Sequence, residues 1–131
     1  MKAKYTLLVL VLATSTALAA DAFSARVHRA KVIEDLPSGK AYQAVLWQYV
    51  GRYTATVMTQ CFPEGTRPDT TSFTMVANVL PDHTLSRIEV RPETKMSKCF
   101  LNGFKDAPFP VPPKEFGQRG MPIEIDMTVK P

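Results

Sequence analysis

The sequence predicts a small α+β protein, in which two helices pack a three-stranded antiparallel sheet in the order α-β-β-α-β. Three observations predict this fold. Two stretches carry apolar residues at three- and four-residue steps, which is typical of amphipathic helices. Three other stretches alternate apolar and polar residues, as half-buried strands do. Two cysteines, Cys61 and Cys99, fall near the predicted helices and favour one disulfide that joins them.

The first twenty residues have the pattern of a cleaved secretory leader. Lys2 and Lys4 precede a short apolar run, and Ala17-Leu18-Ala19 places the cut after Ala19 or Ala20. A retained anchor is the alternative, but the run is shorter than the roughly 20 apolar residues that spanning needs. We expect a soluble bacterial protein, periplasmic or secreted, with no membrane span after processing. It would comprise a leader (1–20), an N-terminal segment (21–40) and one domain (41–131).

The charge pattern does not favour nucleic acid as a partner. The chain has 16 lysines and arginines against 12 acidic residues, and loss of Lys2 and Lys4 would leave a formal net charge of +2. The basic residues are scattered among acidic ones, whereas nucleic-acid binding usually shows a concentrated basic stripe. We therefore interpret the charged residues as solvated surface.

Cys61 and Cys99 are expected to form a disulfide, because an exported chain leaves the reducing cytoplasm. The pair closes a loop of 38 residues, for which the chain-entropy model gives about 4 kcal/mol. A zinc site needs more ligands than two cysteines and the distant His28 and His83 supply. A redox pair is more often spaced C-x-x-C, and no base is placed to activate a free thiol. We expect no metal and no cofactor.

The first helix is predicted most firmly from Ala41 to Tyr53, with Ser38 as its N-cap. The segment before it, residues 21–36, fits either a short strand or a frayed helix. Aromatic residues at helical spacing are usually core residues, so we assign Trp47 and the tyrosines to the core rather than to a ligand platform. The predicted buried face comprises Tyr42, Val45, Leu46, Tyr49, Val50, Tyr53 and Val57.

Two alternating segments around the polar turn 81–84 predict a β-hairpin. The first strand has an apolar face made of Phe73, Met75, Ala77 and Val79. The second strand is predicted to place Ser86, Ile88 and Val90 on one face, and Leu85, Arg87 and Glu89 on the other.

The second helix is predicted from Thr94 to Ala107, with Pro92 in its first turn and Cys99 on its buried face. Thr94 is the expected cap. The prolines of FPVPP then exclude a helix and make this segment an extended strut. The last segment alternates between flanking prolines, which predicts an antiparallel edge strand. Its inward residues are Ile123, Ile125, Met127 and Val129, and its outward residues are Glu124, Asp126, Thr128 and Lys130.

The stretches TTSFTMVANVLPDHTLSRIEVRPETKMSKCFLNGFKDAPFPVPP and GMPIEIDMTVKP resemble the TonB C-terminal domain. They are most similar to its cysteine-bearing relatives of the AgmX/PglI type, whose paired cysteines Cys61 and Cys99 match. The resemblance covers about Cys61 to Pro131. Asp82-His83 stand where the family turn carries a glycine, and the retained anchor and proline-rich spacer of true energy transducers are missing. The resemblance therefore implies a fold and protein binding, without energy coupling and without catalytic residues.

The resemblance implies a non-enzymatic module that pairs a sheet edge with an extended segment of an envelope or outer-membrane protein. Homodimerisation is left open. An inhibitor or immunity-type protein is the alternative. A small secreted hydrolase is less favoured, because the only neutral-pH bases, His28 and His83, lack a neighbouring nucleophile or carboxylate pattern. The expected edge comprises Ile123, Ile125, Met127 and Val129, with Arg87, Glu89 and Arg91 as polar neighbours.

Overall fold

The computed structural model of the protein describes residues 14–62, 64–65, 67 and 69–130, with side chains described from residue 22 onward. The first thirteen residues of the predicted leader and Pro131 lie outside this range. The elements are α1 (Thr14–Asp35), α2 (Pro37–Cys61), β1 (Phe73–Val79), β2 (Leu85–Arg91), α3 (Lys95–Phe104), a 3-10 helix (Lys114–Arg119) and β3 (Met121–Met127). None of the described helices is long and apolar enough to cross a membrane.

The three strands form one antiparallel sheet in the order β2-β1-β3. The predicted hairpin is present, and β3 lies at one edge, where it pairs with β1 from Phe73↔Met127 to Val79↔Met121. Both strands that pair with β1 come later in the chain, so the central strand of the sheet is the first of the three in the sequence. The α+β class and the three-stranded antiparallel sheet are therefore confirmed.

The predicted order of elements lacked one helix. Residues 21–35, left undecided between strand and helix, belong to α1, which buries Phe23, Ala30 and Ile33 at helical steps. This stripe is narrow and is interrupted by charged residues, so its periodicity is weak in the sequence. The observed order is α-α-β-β-α-β, with a 3-10 turn before the last strand.

Helix α2 starts earlier than expected and buries fewer aromatic residues. Leu36 is its N-cap and Pro37 its first residue, a position that suits proline, so the assignment of Ser38 as cap was wrong. Its buried stripe contains Tyr42, Leu46 and Val50. Trp47 and Tyr49 are 49% and 54% exposed, and Val45 is 40% exposed. These three were wrongly assigned to the core, because residues at the flanks of a single-sided helix remain in solvent.

The predicted disulfide is present. Cys61, the last residue of α2, bonds to Cys99 in α3 across a Cα–Cα distance of 5.8 Å. Cys99 is half-buried at the margin of the core rather than fully inside it. The bond therefore fastens the C-terminal end of α2 to the middle of α3.

Helix α3 has the predicted cap and somewhat narrower limits. The Thr94 side chain accepts the N–H of Ser97, and Ser97 Oγ accepts the N–H of Thr94, which forms a capping box. Pro92 therefore precedes the cap instead of lying in the first turn. The helix ends at Phe104, and the proline-rich segment that follows is not helical. Tyr42 Oη donates to the Pro110 carbonyl at 2.8 Å and ties this segment to α2.

A bulge changes the predicted faces of β2. The register with β1 shifts by one residue between Val76 and Asn78, so Leu85 pairs with Val79 and Ser86 with Asn78. Leu85 therefore packs against the core together with Ile88, and the predicted grouping of Ser86 with the core face was wrong. One extra residue in a strand reverses the alternation beyond it.

Helices cover both faces of the sheet. The face with Phe73 packs against Phe100 of α3, with ring centroids 5.3 Å apart. On the opposite face α1 contacts β2 and β3, through Arg26 with Glu89 and through Lys31 with Asp126. Of the residues predicted to point outward from β3, Glu124 and Asp126 therefore lie beside α1, and Glu124 is half-buried rather than fully solvated. Thr128 and Lys130 follow the end of β3 and are exposed.

Candidate functional site

The predicted edge strand presents few of its side chains to a partner. Ile123, Ile125 and Val129 are buried and Met127 is half-buried against the core. Ile123, Ile125 and Met127 lie on the inward face of β3, whereas Val129 follows the end of this strand and packs into the core from there, so the predicted strand was two residues too long. Any partner that binds this edge would have to use the main chain of β3 instead of these four side chains.

The outer main-chain edge of β3 is partly occupied by α1. Pro122 lies in the strand and has no N–H to offer a partner. The Glu34 carboxylate accepts a hydrogen bond from the backbone N–H of Glu124. Arg87, Glu89 and Arg91, expected beside this edge, lie on β2 at the opposite edge of the sheet, with β1 between, so that expectation was wrong.

A cavity of about 440 Å³ lies at the end of the sheet, where β1 ends and where β2 and β3 begin. Helix α1 closes one side of it with two arginines. The turn before β3 closes another side. Among the residues that the structure describes, four arginines from three parts of the chain line it and no aspartate or glutamate does. These arginines are Arg26, Arg29, Arg87 and Arg119.

The sheet bulge shapes this cavity. Arg87 lies at the bulge with a φ of 52°, a left-handed conformation that is uncommon for a residue with a side chain. Strain of this kind often occurs at binding sites, where the rest of the fold holds it in place. Asn78 on the paired strand donates from Nδ2 to the carbonyl of Arg119 at 3.0 Å. The bulge and this hydrogen bond bring Arg87 and Arg119 to the same cavity.

Gly120 allows the chain to enter β3 close against β1. Its φ is 78°, and a Cβ at this position would lie 2.4 Å from the carbonyl oxygen of Val79. A side chain here would meet backbone on the facing strand, which cannot move without disturbing the sheet. Gly120 therefore fixes the wall of the cavity next to Arg119.

The arginines are only partly neutralised. Arg26 Nη1 lies 3.2 Å from Glu89 Oε2, and Arg26 also donates to the carbonyl of Arg87. Glu89 is shared with Arg91, whose Nη2 lies 2.7 Å away. Burial, followed by the like charge of Arg87, lowers the pKa of Arg26, and Glu89 opposes this. Among the described residues, Arg29, Arg87 and Arg119 have no carboxylate within ion-pairing distance. The cavity therefore carries excess positive charge.

A carboxyl cluster adjoins the cavity along α1 and β3. Lys31 lies 3.4 Å from Asp126 Oδ2, and Thr74 donates to Asp126 Oδ1 at 2.6 Å. This donation, together with Lys31, lowers the pKa of Asp126. Burial, followed by the charges of Asp126 and Glu34, raises the pKa of Glu124 to about 7. Burial likewise raises the pKa of Glu34. The pKa values of the two neighbouring acids on β3 are thus shifted in opposite directions.

The cavity was not predicted from the sequence. Arg26 and Arg29 lie three residues apart on one helix face, which was the only local signal. Arg87 and Arg119 reach them only through the sheet register. His28 is exposed on α1 and His83 lies in the hairpin turn. Within the described part of the chain, no group of three or more histidine, cysteine or acidic residues is placed to hold a metal ion.

Comparisons with protein-family models, with curated proteins and with solved structures found no match to this chain.

Proposed function

We propose that this protein is an exported, non-enzymatic binding module, and that it binds an oxyanion-bearing ligand in the arginine-lined cavity. One observation carries the proposal: four arginines line a single cavity to which none of the described acidic side chains contributes. Four like charges around one cavity raise its positive potential and repel one another, and a bound anion would reduce this repulsion. The disulfide supports an oxidising compartment such as the periplasm.

Arginine suits this role because its planar fork donates two parallel hydrogen bonds to a phosphate, sulfate or carboxylate group. The cavity falls within the usual size range of small-ligand sites. Its apolar lining includes Val76, Leu80 and Ile123. The site therefore suits a ligand with one anionic end and a less polar body, and a preformed wall reduces the ordering cost of binding.

A titration with sodium sulfate at constant ionic strength tests the proposal, with backbone amide shifts as the readout. We expect saturable shifts at Arg87, Arg119 and Gly120. The double variant Arg29→Gln/Arg119→Gln should weaken binding by about tenfold or more, since charge-assisted hydrogen bonds contribute roughly 1.5–3 kcal/mol each.

Arg52→Gln is the matched control, because Arg52 is exposed on α2 and does not line the cavity. It removes a similar charge and should leave the sulfate affinity within about twofold of the parent, as expected for a screened surface charge. Equal weakening by Arg52→Gln and by either cavity arginine alone would show a general charge effect and would contradict the proposal.

Protein binding through the edge of β3, as the resemblance to the TonB C-terminal domain implies, is a second candidate. It is favoured by the position of β3 at the edge of the sheet. If outward main-chain groups alternate along β3 as they do in strands, the Asp126 N–H points away from β1. A photo-crosslinker at position 126 should then capture an envelope protein in living cells, whereas one at exposed Tyr49 should not. Equal capture of the protein at positions 126 and 49 would contradict binding through the edge of β3.

A further inference from the structure

Helix α1 takes part in two neighbouring charged regions at once. Arg26 and Arg29 line the cavity, while Lys31 and Glu34 face the carboxyl cluster on β3. Arg29 and Glu34 are five residues apart, which is about 7.5 Å along a helix. On β3, Pro122 lines the cavity and Glu124 belongs to the cluster. A change in the fit of α1 against β3 would therefore change the cavity.

The geometry of Glu124 favours a protonated carboxyl group. Its Oε2 is buried and has no hydrogen-bond partner. The acids Asp126 and Glu34 lie beside it, and their negative charges favour its neutral form. Asp126 accepts from Thr74 and pairs with Lys31, so these contacts stabilise the charged form of Asp126 and leave Glu124 as the acid that takes up a proton.

Two acids and one cation surround Glu124. It is faced by Lys31 and Glu34 from α1 and by Asp126 on its own strand. From β1, Thr74 contacts Asp126, and Val76 pairs with Glu124 itself. Lys31 is exposed and is already paired with Asp126. Ionisation of Glu124 would therefore place an unpaired negative charge between two acids, and this charge would repel Glu34 and weaken the seating of α1.

We propose that protonation of the buried Glu124 carboxyl group holds α1 against β3, and that loss of this proton weakens anion binding in the arginine-lined cavity. The inference rests on the proposed function. Two effects of ionisation act in the same direction: α1 holds its arginines less firmly, and the new negative charge opposes an incoming anion through space. The protein should therefore bind anions more tightly in mildly acidic than in mildly alkaline solution.

Sulfate titrations at about pH 5.5 and about pH 8 measure this coupling, because sulfate remains a dianion over the whole range. We expect the dissociation constant of the parent protein to rise about fivefold or more at the higher pH, the lower end of typical coupling between sites. Glu124→Gln keeps the size of the side chain and cannot ionise. This variant should bind sulfate at both pH values with a difference of less than about twofold.

Two further variants make the result specific. His28→Gln/His83→Gln removes the side chains whose charge ordinarily changes in this range, and it should retain the pH dependence. In Asp126→Asn, the new side-chain amide can donate to an ionised Glu124, so this variant should reduce the pH dependence of sulfate binding. It provides a second test if Glu124→Gln is unstable.

The outcomes separate the two proposals. Sulfate binding that does not depend on pH, or a dependence that survives in Glu124→Gln or disappears in the double histidine variant, overturns the coupling and leaves the cavity proposal intact. Absence of saturable sulfate binding at both pH values overturns the cavity proposal and the coupling with it.

Discussion

The two faces of the sheet differ in what holds them to their helices. The face toward α2 and α3 is apolar, contains Phe73, Phe100 and Phe104, and is fastened by the disulfide. The face toward α1 has a few buried apolar residues, such as Ala30 and Val76, among ion pairs and unneutralised arginines. Packed apolar surface and a covalent link stabilise a domain regardless of pH. Charged contacts contribute less, and they respond to pH, salt and ligands. The first face thus stabilises the fold, and the second face is suited to binding.

The largest expected effect comes from removing the disulfide. Cys61→Ser/Cys99→Ser should lower the free energy of unfolding by about 4 kcal/mol, since the bond closes a loop of 38 residues. Urea denaturation measures the loss, and sulfate titration of the folded variant at low temperature measures the site. We expect binding close to that of the parent. A loss of stability below about 1 kcal/mol would mean that the packing of α2 on α3 needs no covalent support.

A smaller effect is expected at the contact between α2 and α3. A Cβ at Gly103 would lie 2.6 Å from Cγ1 of Val57, so Gly103→Ala should destabilise the protein by about 1–3 kcal/mol through overpacking. Gly51→Ala is the matched control in α2, because nothing lies within 4 Å of its Cβ. The control should stabilise the protein by about 0.5–1 kcal/mol through helix propensity. Thermal unfolding measures both variants, and the melting temperature must fall in Gly103→Ala and rise in Gly51→Ala.

On the α1 face, Glu124 should make stability depend on pH. The pKa of its carboxyl group rises from 4.5 in the unfolded chain to about 7 in the fold, so the folded state holds a proton that the unfolded state releases. Its contribution to stability is complete below about pH 4.5 and is lost as the pH rises through about 7. Glu124→Gln should therefore raise the melting temperature at about pH 8 and change it little at about pH 4. Equal shifts at the two pH values would assign the effect to packing instead.

The smallest change in stability is expected from the cavity arginines themselves. Arg29→Gln should alter the free energy of unfolding by less than about 0.5 kcal/mol, because the exposed side chain makes no ion pair among the described residues. The same substitution should reduce sulfate affinity. A destabilisation above about 1 kcal/mol would make Arg29 a structural residue.

The apolar face was largely predictable from the sequence. The alternation of Phe73, Met75, Ala77 and Val79, the Thr94 cap and the cysteine pair each reflect a local rule or a single covalent bond. Trp47 and Tyr49 were misplaced because periodicity gives the direction of a helix face and not its width. That width depends on how much of α2 the neighbouring elements cover.

The α1 face was largely unpredictable, for reasons that differ among its residues. Helix α1 buries only a few residues at helical steps, so the strand and helix interpretations of its sequence were nearly balanced. Arg87 reaches the cavity because of a bulge whose position depends on the pairing of two strands. Arg119 reaches it because Gly120 permits a close approach to Val79. None of these relations can be read from neighbouring residues, since each depends on contacts between distant parts of the chain.

The wide sequence separation of the cavity walls has a consequence for when the protein can act. Arg26 and Glu89 are 63 residues apart, and Lys31 and Asp126 are 95 apart. Contacts of such long range form late, because the intervening chain must first be ordered. A nascent or truncated polypeptide that ends before Arg119 lacks one wall altogether. Under the proposed function, only a chain that extends past Arg119 can bind the anion, and ligand release should be an early and sensitive sign of unfolding.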